Sequence, residues 1–405
     1  SVMSSFFLRF ICLDMVEQIG IEKWSDTLKR KAVFEIILTL LLTSMIPSAF
    51  LIRLVKTGGT IYIRADGSIE PVTAPIQRDG NLYTFTDNIY DSIVVERSSI
   101  IIDGCGYTLQ GPADANGFSL SNVAKVTIKN TDIRDFWYGI YLKGSLNNNL
   151  SRNNIVHNHR GIMIYESSGN GFYGNNITNS IEYGVWFISS SENVFRNNNL
   201  TDNTYNLCIA AGGSNELSHF IQDIDESNSV NGQPVYYLID RTNMEVPFNA
   251  GYVGLVNCRN ITVEGSELKD NSPGMLLVNT IDSKIINNVI ANNTQGVYLR
   301  ESHDNIFEGN NIRYNVYGAF LYRSSGNGFY ENEIVSNKNE GFSIDTSSNN
   351  NFFRNNITNN GGHGVYLEPY GDNAFYGNNI TNNGQSGISL GRSSGNSIWR
   401  NNIMN

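Results

Sequence analysis

A repeat of 22–23 residues runs through most of this 405-residue chain and constrains its fold more than any other feature. Its marker is a glycine that precedes a short apolar segment. The markers are Gly117, Gly139, Gly161, Gly184, Gly274, Gly296, Gly318, Gly341, Gly364 and Gly387. The 90 residues between the two blocks of markers hold four more periods, and Asn206 takes the glycine position in the first of them. A repeat this regular indicates a solenoid whose units stack on their neighbours.

Each unit reads G-[IV]-x-[LI]-x-x-S-x-x-N-x-[IF]-x-x-N-N-[IL]-x-x-N, so apolar and polar residues alternate. Alternation with a period of two predicts three short strands per unit and excludes a helix. The inward positions are then the residues after each glycine, a phenylalanine column and an isoleucine or leucine column. Because parallel β crossovers are strongly biased to one hand, we predict an all-β, right-handed parallel β-helix of about 13 coils.

Two columns of asparagine recur at fixed positions of the unit. The first is Asn148, Asn170, Asn193, Asn305, Asn327, Asn350, Asn373 and Asn396. The second is Asn153, Asn175, Asn198, Asn310, Asn332, Asn355, Asn378 and Asn401. Stacked side-chain amides can form hydrogen bonds from coil to coil, and asparagine tolerates bends. We therefore interpret both columns as structural, and the marker glycines as positions that need a left-handed backbone.

The start of the chain departs from the repeat. Lys29, Arg30 and Lys31 precede an apolar run at 32–52, an order that is typical of a secretory signal peptide. The same run is long enough for an uncleaved membrane anchor, and a buried helix is the third alternative. We therefore expect residues 1–56 to be an N-terminal extension with an apolar helix, and the protein to be secreted or held at the cell surface.

The rest of the chain divides into a cap and an array. Residues 57–116 contain short strands, turn signals and three of the eight prolines, which predicts a small β cap with the first coil. Residues 117–405 form the predicted β-helix. Within it, 217–250 breaks the repeat and predicts a coil with a protruding loop, where function usually lies. The array ends inside a repeat without the polar cap that solenoids need, so we expect a longer reading frame.

Composition argues against several classes of protein. The formal net charge is −10, and no stripe of Lys and Arg offers a surface for nucleic acid. The four cysteines are too few for a disulfide framework, and none lies in a zinc-binding pair. If two of them form a disulfide, Cys208 and Cys258 are the expected pair.

Two phrases outside the regular repeats resemble a known family. They are IYIRADGSIEP…APIQRDGNLYTFTDNIYDSIVVERSSIIIDGCGYTLQG in the cap and VNGQPVYYLID…VPFNAGYVGLVNCRNITV in the irregular coil. Both are similar to archaeal secreted proteins of the NosD-like β-helix type, and the repeats resemble the parallel-β-helix repeats of the carbohydrate-binding and sugar-hydrolase (CASH) class. The resemblance covers about Thr57 to Asn405. It implies a right-handed β-helix, export and a polysaccharide-related or surface role, without implying one reaction.

The resemblance to NosD would imply an accessory role in copper delivery to nitrous oxide reductase. Copper sites need clustered Met, Cys or His ligands. The five histidines are scattered, and only His157 and His159 lie close together. We expect a pair of exposed turn histidines there and predict no metal or other cofactor.

An outward position of the first strand carries large side chains on many coils. They are Tyr141, Met163, Trp186, Tyr298, Phe320 and Tyr366. Because coils are about 4.8 Å apart, such residues would form a ladder along one face. The ladder has two interpretations, stacking that stiffens the sheet or a platform for sugar rings or another protein. The candidate carbohydrate-binding residues are Tyr141, Trp186, Tyr298, Phe320 and Tyr366.

A second outward column offers candidate catalytic residues. Asp345 and Glu368 fall on adjacent coils and would lie about 5 Å apart, which is the spacing of a retaining glycosidase pair. The alternative is a pair of solvated charges, or charges paired with a neighbour such as Arg323. The same column begins with Arg300 and Tyr322 on the two preceding coils.

The acidic loop of the irregular coil is a third candidate. Asp223, Asp225 and Glu226 could supply oxygen ligands to Ca²⁺, but their spacing is not that of a defined calcium loop. A lyase would also need a base, and the nearest basic residue, Arg241, is 15 residues further along.

These observations favour an exported or cell-surface protein that binds polysaccharide or another cell-envelope partner without chemistry of its own. The alternatives are a polysaccharide lyase or glycoside hydrolase, an architectural surface component and a NosD-like copper-binding accessory protein. An enzyme needs a groove with converging acids and bases, whereas a binding protein needs only the aromatic strip.

Overall fold

A computed structural model of the protein describes residues 59–213 and 216–404. These residues form short β-strands and one 3₁₀ turn, Leu217–Phe220. The expected apolar helix at 32–52, with its signal peptide or membrane anchor, lies outside the described residues. Within them, no helix has the length and apolar character that crossing a bilayer requires.

An N-terminal stack of three sheets begins the described part of the chain. Sheet I contains Thr60–Ile63, Ile69–Glu70, Ser92–Val95, Asn116–Ser121, Tyr138–Lys143, Arg160–Tyr165, Tyr183–Ile188 and Tyr205–Ala210. Sheet II contains Ile76–Asp79, Leu82–Phe85, Ile101–Asp103, Thr127–Lys129, Asn149–Ser151, Gly171–Tyr173, Val194–Arg196 and Asp223–Ile224. Sheet III contains Thr108–Gln110, Asp132–Arg134, Asn154–Val156, Asn176–Thr178, Asn199–Thr201 and Ser229–Val230.

A C-terminal stack of three more sheets follows. Sheet IV contains Gln233–Ile239, Tyr252–Val256, Met275–Val278, Gln295–Arg300, Tyr317–Tyr322, Phe342–Asp345, Val365–Glu368 and Ile388–Leu390. Sheet V contains Thr242–Val246, Arg259–Glu264, Lys284–Ile286, Ile306–Glu308, Gly328–Tyr330, Asn351–Phe353, Ala374–Tyr376 and Ser397–Trp399. Sheet VI contains Glu267–Lys269, Val289–Ala291, Asn311–Arg313, Glu333–Val335, Asn356–Thr358, Asn379–Thr381 and Asn402–Met404.

The parallel β-solenoid is confirmed, with about 15 turns. The predicted count of about 13 coils was wrong because part of the predicted cap belongs to the stack. Thr60–Ile63 pairs in parallel with Ser92–Val95, which in turn pairs in parallel with Asn116–Ser121, so each is a turn in its own right. Antiparallel hairpins at Ile69–Glu70 and Ile76–Asp79 are the parts of this region that depart from the solenoid.

The inward columns follow the predicted alternation. Residues after the marker glycines, such as Ile140 and Leu142, are fully buried. The phenylalanines stack face to face along the axis, with ring centroids 4.6 Å apart for Phe307–Phe329 and 5.2 Å for Phe329–Phe352. Each coil therefore completes the core of the next, which is why one unit alone could not fold.

The asparagine ladders are confirmed, and a third column adds to the two described above. The third is Asn158, Asn203, Asn271, Asn293, Asn315, Asn337, Asn360 and Asn383. In each ladder the side-chain carbonyl accepts from the backbone N–H and the amide of the preceding coil. Asn310, for example, accepts from both nitrogens of Asn288 at 3.0 Å. These bonds satisfy backbone groups at the bends, which burial would otherwise leave unpaired.

The marker glycines have a different role from the one expected. None of them has a positive φ. A Cβ on Gly161 would lie 2.4 Å from the carbonyl oxygen of Gly184 on the next coil, so close backbone approach requires the glycine. The left-handed positions instead precede the ladder asparagines, as at Asn147 (φ 56°) and Gly169 (φ 67°).

The two stacks meet at a joint formed by the irregular segment 217–250. The hairpin between Ser229–Val230 and Gln233–Ile239 is antiparallel and joins sheets III and IV into one 14-stranded sheet. On Met275–Val278, Leu276 and Val278 belong to the N-terminal core, whereas Met275 and Leu277 belong to the C-terminal core. The first strands of sheet IV therefore lie between two cores and are buried on both faces.

Cys208 and Cys258, the expected pair if any disulfide formed, are both free thiols. Cys208 lies on the last strand of sheet I, beside Ser272 of the C-terminal stack. Cys258 follows a strand of sheet IV, and its thiol donates to the carbonyl oxygen of Leu238 at 3.3 Å. The two residues thus belong to different sheets, and each has its own neighbours.

Candidate functional site

The predicted outward ladder is divided between two sheets. Tyr141 and Trp186 lie on sheet I, on either side of Met163 in consecutive strands. Tyr298 and Phe320 are register neighbours on sheet IV. Because sheet IV continues sheet III across the joint and not sheet I, these side chains form two separate surfaces.

A second outward column on sheet I completes the first surface. It consists of the residues immediately before the marker positions: Tyr138, Arg160, Tyr183 and Tyr205. In these strands the marker glycine and the residue after it are both buried, whereas the residue before the glycine and the second residue after it are partly exposed. Ring contacts connect the two columns: Tyr138 and Tyr141 stack with centroids 5.2 Å apart, and Tyr183 and Trp186 are tilted with centroids 4.5 Å apart.

Arg160 lies at the centre of these rings. Its Cζ is 5.7 Å from the ring centroid of Trp137, 5.4 Å from Tyr138, 5.9 Å from Tyr183 and 5.0 Å from Trp186. Its Nε donates to Oε2 of Glu182 at 2.6 Å, its Nη2 lies 2.5 Å from the same oxygen, and its Nη1 donates to the Tyr138 hydroxyl at 2.7 Å. The guanidinium is therefore fixed in position by a charged partner and by cation–π contacts.

We call this surface the Arg160 platform, and it consists of Trp137, Tyr138, Arg160, Glu182, Tyr183 and Trp186. Trp137 is the most open ring, with 39% of its surface exposed, and His159 stacks on one of its faces at 3.8 Å. The Glu182 and Arg160 side chains are partly exposed. The platform thus presents aromatic surface and fixed polar groups together to solvent.

Burial raises the pKa of Tyr183 to about 12. The Trp186 Nε1 is buried and has no hydrogen-bond partner among the described residues. These two rings are held by packing within the platform, whereas Trp137 and Glu182 lie nearer its edge.

The sheet IV candidates have a different environment. Tyr298 packs against the N-terminal core, and burial raises the pKa of its hydroxyl. The neighbouring Arg300 is almost fully buried, with its Cζ 5.5 Å from the rings of Phe220 and Tyr322. The joint therefore covers the start of this strip, and Phe320 and Tyr366 beyond it are partly exposed.

The candidate catalytic pair lies on the same sheet. Asp345 and Glu368 are register neighbours on adjacent coils, as their spacing predicts. The Tyr366 hydroxyl donates to Glu368, and this hydrogen bond raises the pKa of Tyr366. Thr346 donates to Asp345 at 2.7 Å. Arg323 forms its ion pair with Glu301, at 3.8 Å, and not with Asp345 or Glu368.

The candidate metal ligands do not group together. His157 is an exposed turn residue with φ 54°, and His159 stacks on Trp137, so this pair does not fit a copper site. Arg196 pairs with both Asp223, at 2.5 Å, and Asp225, at 2.9 Å. Within 59–213 and 216–404, no three His, Cys, Asp or Glu side chains are placed so that they could hold a metal ion.

Of the platform residues, the sequence analysis named only Trp186 as a candidate, together with the adjacent Tyr141, and it left out the other five. It followed the position between the two inward residues of the first strand and left out the residue before each glycine. That column reads Tyr138, Arg160 and Tyr183 in consecutive coils, so the signal was present in the repeat. Glu182 and Trp137 lie further from the marker, in the bend where the repeat is least regular.

The β-helix fold has a counterpart among known protein families. A family model for the right handed beta helix region matches residues 82–220, 240–380 and 317–405. The crystal structure of a periplasmic alginate epimerase, AlgG, is 14% identical with a TM-score of 0.37, over 85% of this chain and 83% of that chain. DFA-IIIase from Arthrobacter chlorophenolicus A6 is 9% identical with a TM-score of 0.32, over 85% and 84%.

The catalytic domain of a GH87 alpha-1,3-glucanase is 13% identical with a TM-score of 0.27, over 78% of this chain and 63% of that chain. Likeness at this level assigns no activity. No curated protein matches the sequence.

Proposed function

Because the chain belongs to the family of right-handed β-helix regions, we propose that it is an exported or cell-surface protein that binds polysaccharide through the Arg160 platform, without a reaction of its own. Export rests on the basic and apolar order of residues 29–52 and on the resemblance to secreted NosD-like proteins. The platform supplies the binding chemistry.

The observation that carries the proposal is a fixed ion pair among four aromatic rings. A sugar ring has an apolar face of C–H groups and an edge of hydroxyls. Aromatic side chains can cover the apolar face, while Glu182 accepts from hydroxyls and Arg160 donates to them. Because both charged groups already hold each other in place, little side-chain entropy is lost when a ligand binds.

The repeat geometry also favours a polymer over a small ligand. Equivalent positions recur about every 4.8 Å along the stack, so the two columns extend over successive coils in one direction. A linear polysaccharide can contact several rings in turn. The weak contribution of each contact then adds up along the chain.

Affinity electrophoresis in gels that contain β-glucan, chitosan or alginate tests the proposal. We expect at least one polysaccharide to retard the parent protein, and Trp137→Ala and Trp186→Ala each to raise the dissociation constant about tenfold, since each removes a stacking surface. Tyr376→Ala is the matched control. It removes an outward ring on sheet V that stacks on Phe353 and Trp399, with ring centroids 4.9 Å and 3.8 Å apart.

Retardation that is lost in the platform variants and kept in the control would support the proposal. Equal retardation of all three variants, or no retardation of the parent in any gel, would overturn it.

A further inference from the structure

A cavity of about 640 Å³ lies at the joint between the two stacks. It is bounded by Glu192, by Val194 on sheet II, by residues of the segment 221–227, by residues of the strand Gln233–Ile239 and by Arg241. No residue of the Arg160 platform lines it. Its volume falls within the range of about 300–1,000 Å³ that small-molecule sites occupy. The cavity is therefore a separate candidate site.

Its floor is apolar and carries one unused hydroxyl. Ile224, Val235 and Tyr236 are buried, and Tyr236 is only 8% exposed. Among the hydrogen bonds of the described residues, none involves the Tyr236 hydroxyl. Its neighbour Tyr237, by contrast, donates to the carbonyl oxygen of Phe220 at 2.6 Å. The Tyr236 hydroxyl is not among the buried polar atoms that lack a partner, so its oxygen is accessible and can pair with a polar group of a ligand.

The rim of the cavity is acidic. Four carboxylates lie at the rim, and only two guanidinium groups balance their charge. The carboxylates are those of Glu192, Asp223, Asp225 and Glu226, and the guanidinium groups are Arg196 beside the cavity and Arg241 within it. Arg196 already pairs with both aspartates, and the Ser227 backbone N–H donates to Asp225 at 3.1 Å.

The two glutamates remain for a ligand, because neither has an ion-pair partner among the described residues. Burial, followed by the charge of Glu226, raises the pKa of Tyr236, which is consistent with that carboxylate lying near the hydroxyl. An anionic ligand would be repelled here, and a cationic one attracted.

We propose that the joint cavity binds an amino sugar with a free amine. The ammonium group contacts Glu226, the apolar face of the sugar packs on the floor, and a ring hydroxyl pairs with the Tyr236 hydroxyl. This inference rests on the proposed polysaccharide binding and narrows its substrate class to glycans that contain unacetylated amino sugars. Uronic acid polymers are excluded from the cavity by its excess of carboxylates.

Isothermal titration calorimetry with a glucosamine tetramer, at a mildly acidic pH that keeps its amines protonated, tests the proposal. We expect the parent to bind this tetramer, and Glu226→Gln and Tyr236→Phe each to lower its affinity about tenfold, as expected for loss of a charged or a buried hydrogen bond. The N-acetylated tetramer should bind at least about tenfold more weakly than the free amine. Glu245→Gln is the matched control, because it neutralises an exposed acid outside the cavity.

Equal affinity for the two tetramers, or an unchanged affinity in Glu226→Gln, would overturn the proposal, and so would the same loss in Glu245→Gln. The test is separate from that of the platform. Tyr376→Ala, which lies outside the platform and the cavity, should keep the affinity for the glucosamine tetramer. If no polysaccharide retards the parent but the tetramer still binds in a Glu226-dependent way, polysaccharide binding fails and the cavity site survives.

Discussion

Replacing Asn310 with alanine is expected to lower the free energy of unfolding by about 3–5 kcal/mol, a large part of the stability of most proteins. The Asn310 side chain accepts from the backbone N–H and the amide of Asn288, and donates to the carbonyl oxygen of Ile285 at 2.8 Å and to Asn332 at 2.9 Å. All of these groups are buried. Alanine would leave two donors of Asn288 without an acceptor, and each costs about 1–3 kcal/mol.

The adjacent Asn311 is the matched control for this change. Its side chain lies on the outer face of sheet VI and donates to Glu333 at 2.9 Å in an exposed position. Asn311→Ala should change stability by no more than about 0.5 kcal/mol. Urea unfolding followed by circular dichroism measures both variants. Similar losses in the two would contradict the role assigned to the ladders.

Replacing Leu276 with aspartate is expected to lower the free energy of unfolding by more than about 4 kcal/mol, because it buries an unpaired charge. In a single uninterrupted solenoid this position would be outward and would tolerate a charge, since it shares a column with Tyr298 and Phe320. At the joint it faces the N-terminal core and is fully buried. The variant therefore tests the arrangement of the two stacks.

Ser389→Asp is the control, because Ser389 occupies the same outward column at the far end of sheet IV and is partly exposed. It should remain within about 0.5 kcal/mol of the parent. Thermal and urea unfolding of the two variants give the comparison. A tolerated charge at position 276 would show that no second core covers that face.

The regular part of the fold was predictable because the same pattern of apolar, glycine and asparagine residues recurs in successive coils. Ile140, Phe307 and Asn310 each stand for a column whose burial follows from period-two alternation and from the need to pair backbone groups at bends. The marker glycines were identified from the sequence, but the left-handed backbone predicted for them was wrong. Close approach between coils depends on backbone geometry that one sequence does not display.

The joint was harder to predict, although its strands carried a signal. The segments YVGLV (Tyr252–Val256) and MLLV (Met275–Val278) are apolar without alternation, which is typical of strands buried on both faces. The hairpin at Asn231 and Gly232 reverses the chain and brings sheet IV beside sheet III. Which sheets join across this hairpin depends on contacts between residues far apart in the chain, and the repeat pattern does not show them. Tyr141 and Tyr298 were therefore predicted on one face, but they lie on two different sheets.

Tryptophan fluorescence can report whether polysaccharide binds on the Arg160 platform. The chain has four tryptophans. Trp137 and Trp186 lie on the platform, Trp399 stacks on Tyr376 of sheet V, and Trp24 is outside the described residues. Polysaccharide that retards the parent in gels is titrated into the parent, a Trp137→Phe, Trp186→Phe double variant and a Trp399→Phe variant.

We expect a saturable change in tryptophan fluorescence in the parent and in Trp399→Phe, and no such change in the double variant. A change that persists in the double variant, or that disappears only in Trp399→Phe, would contradict binding on the platform.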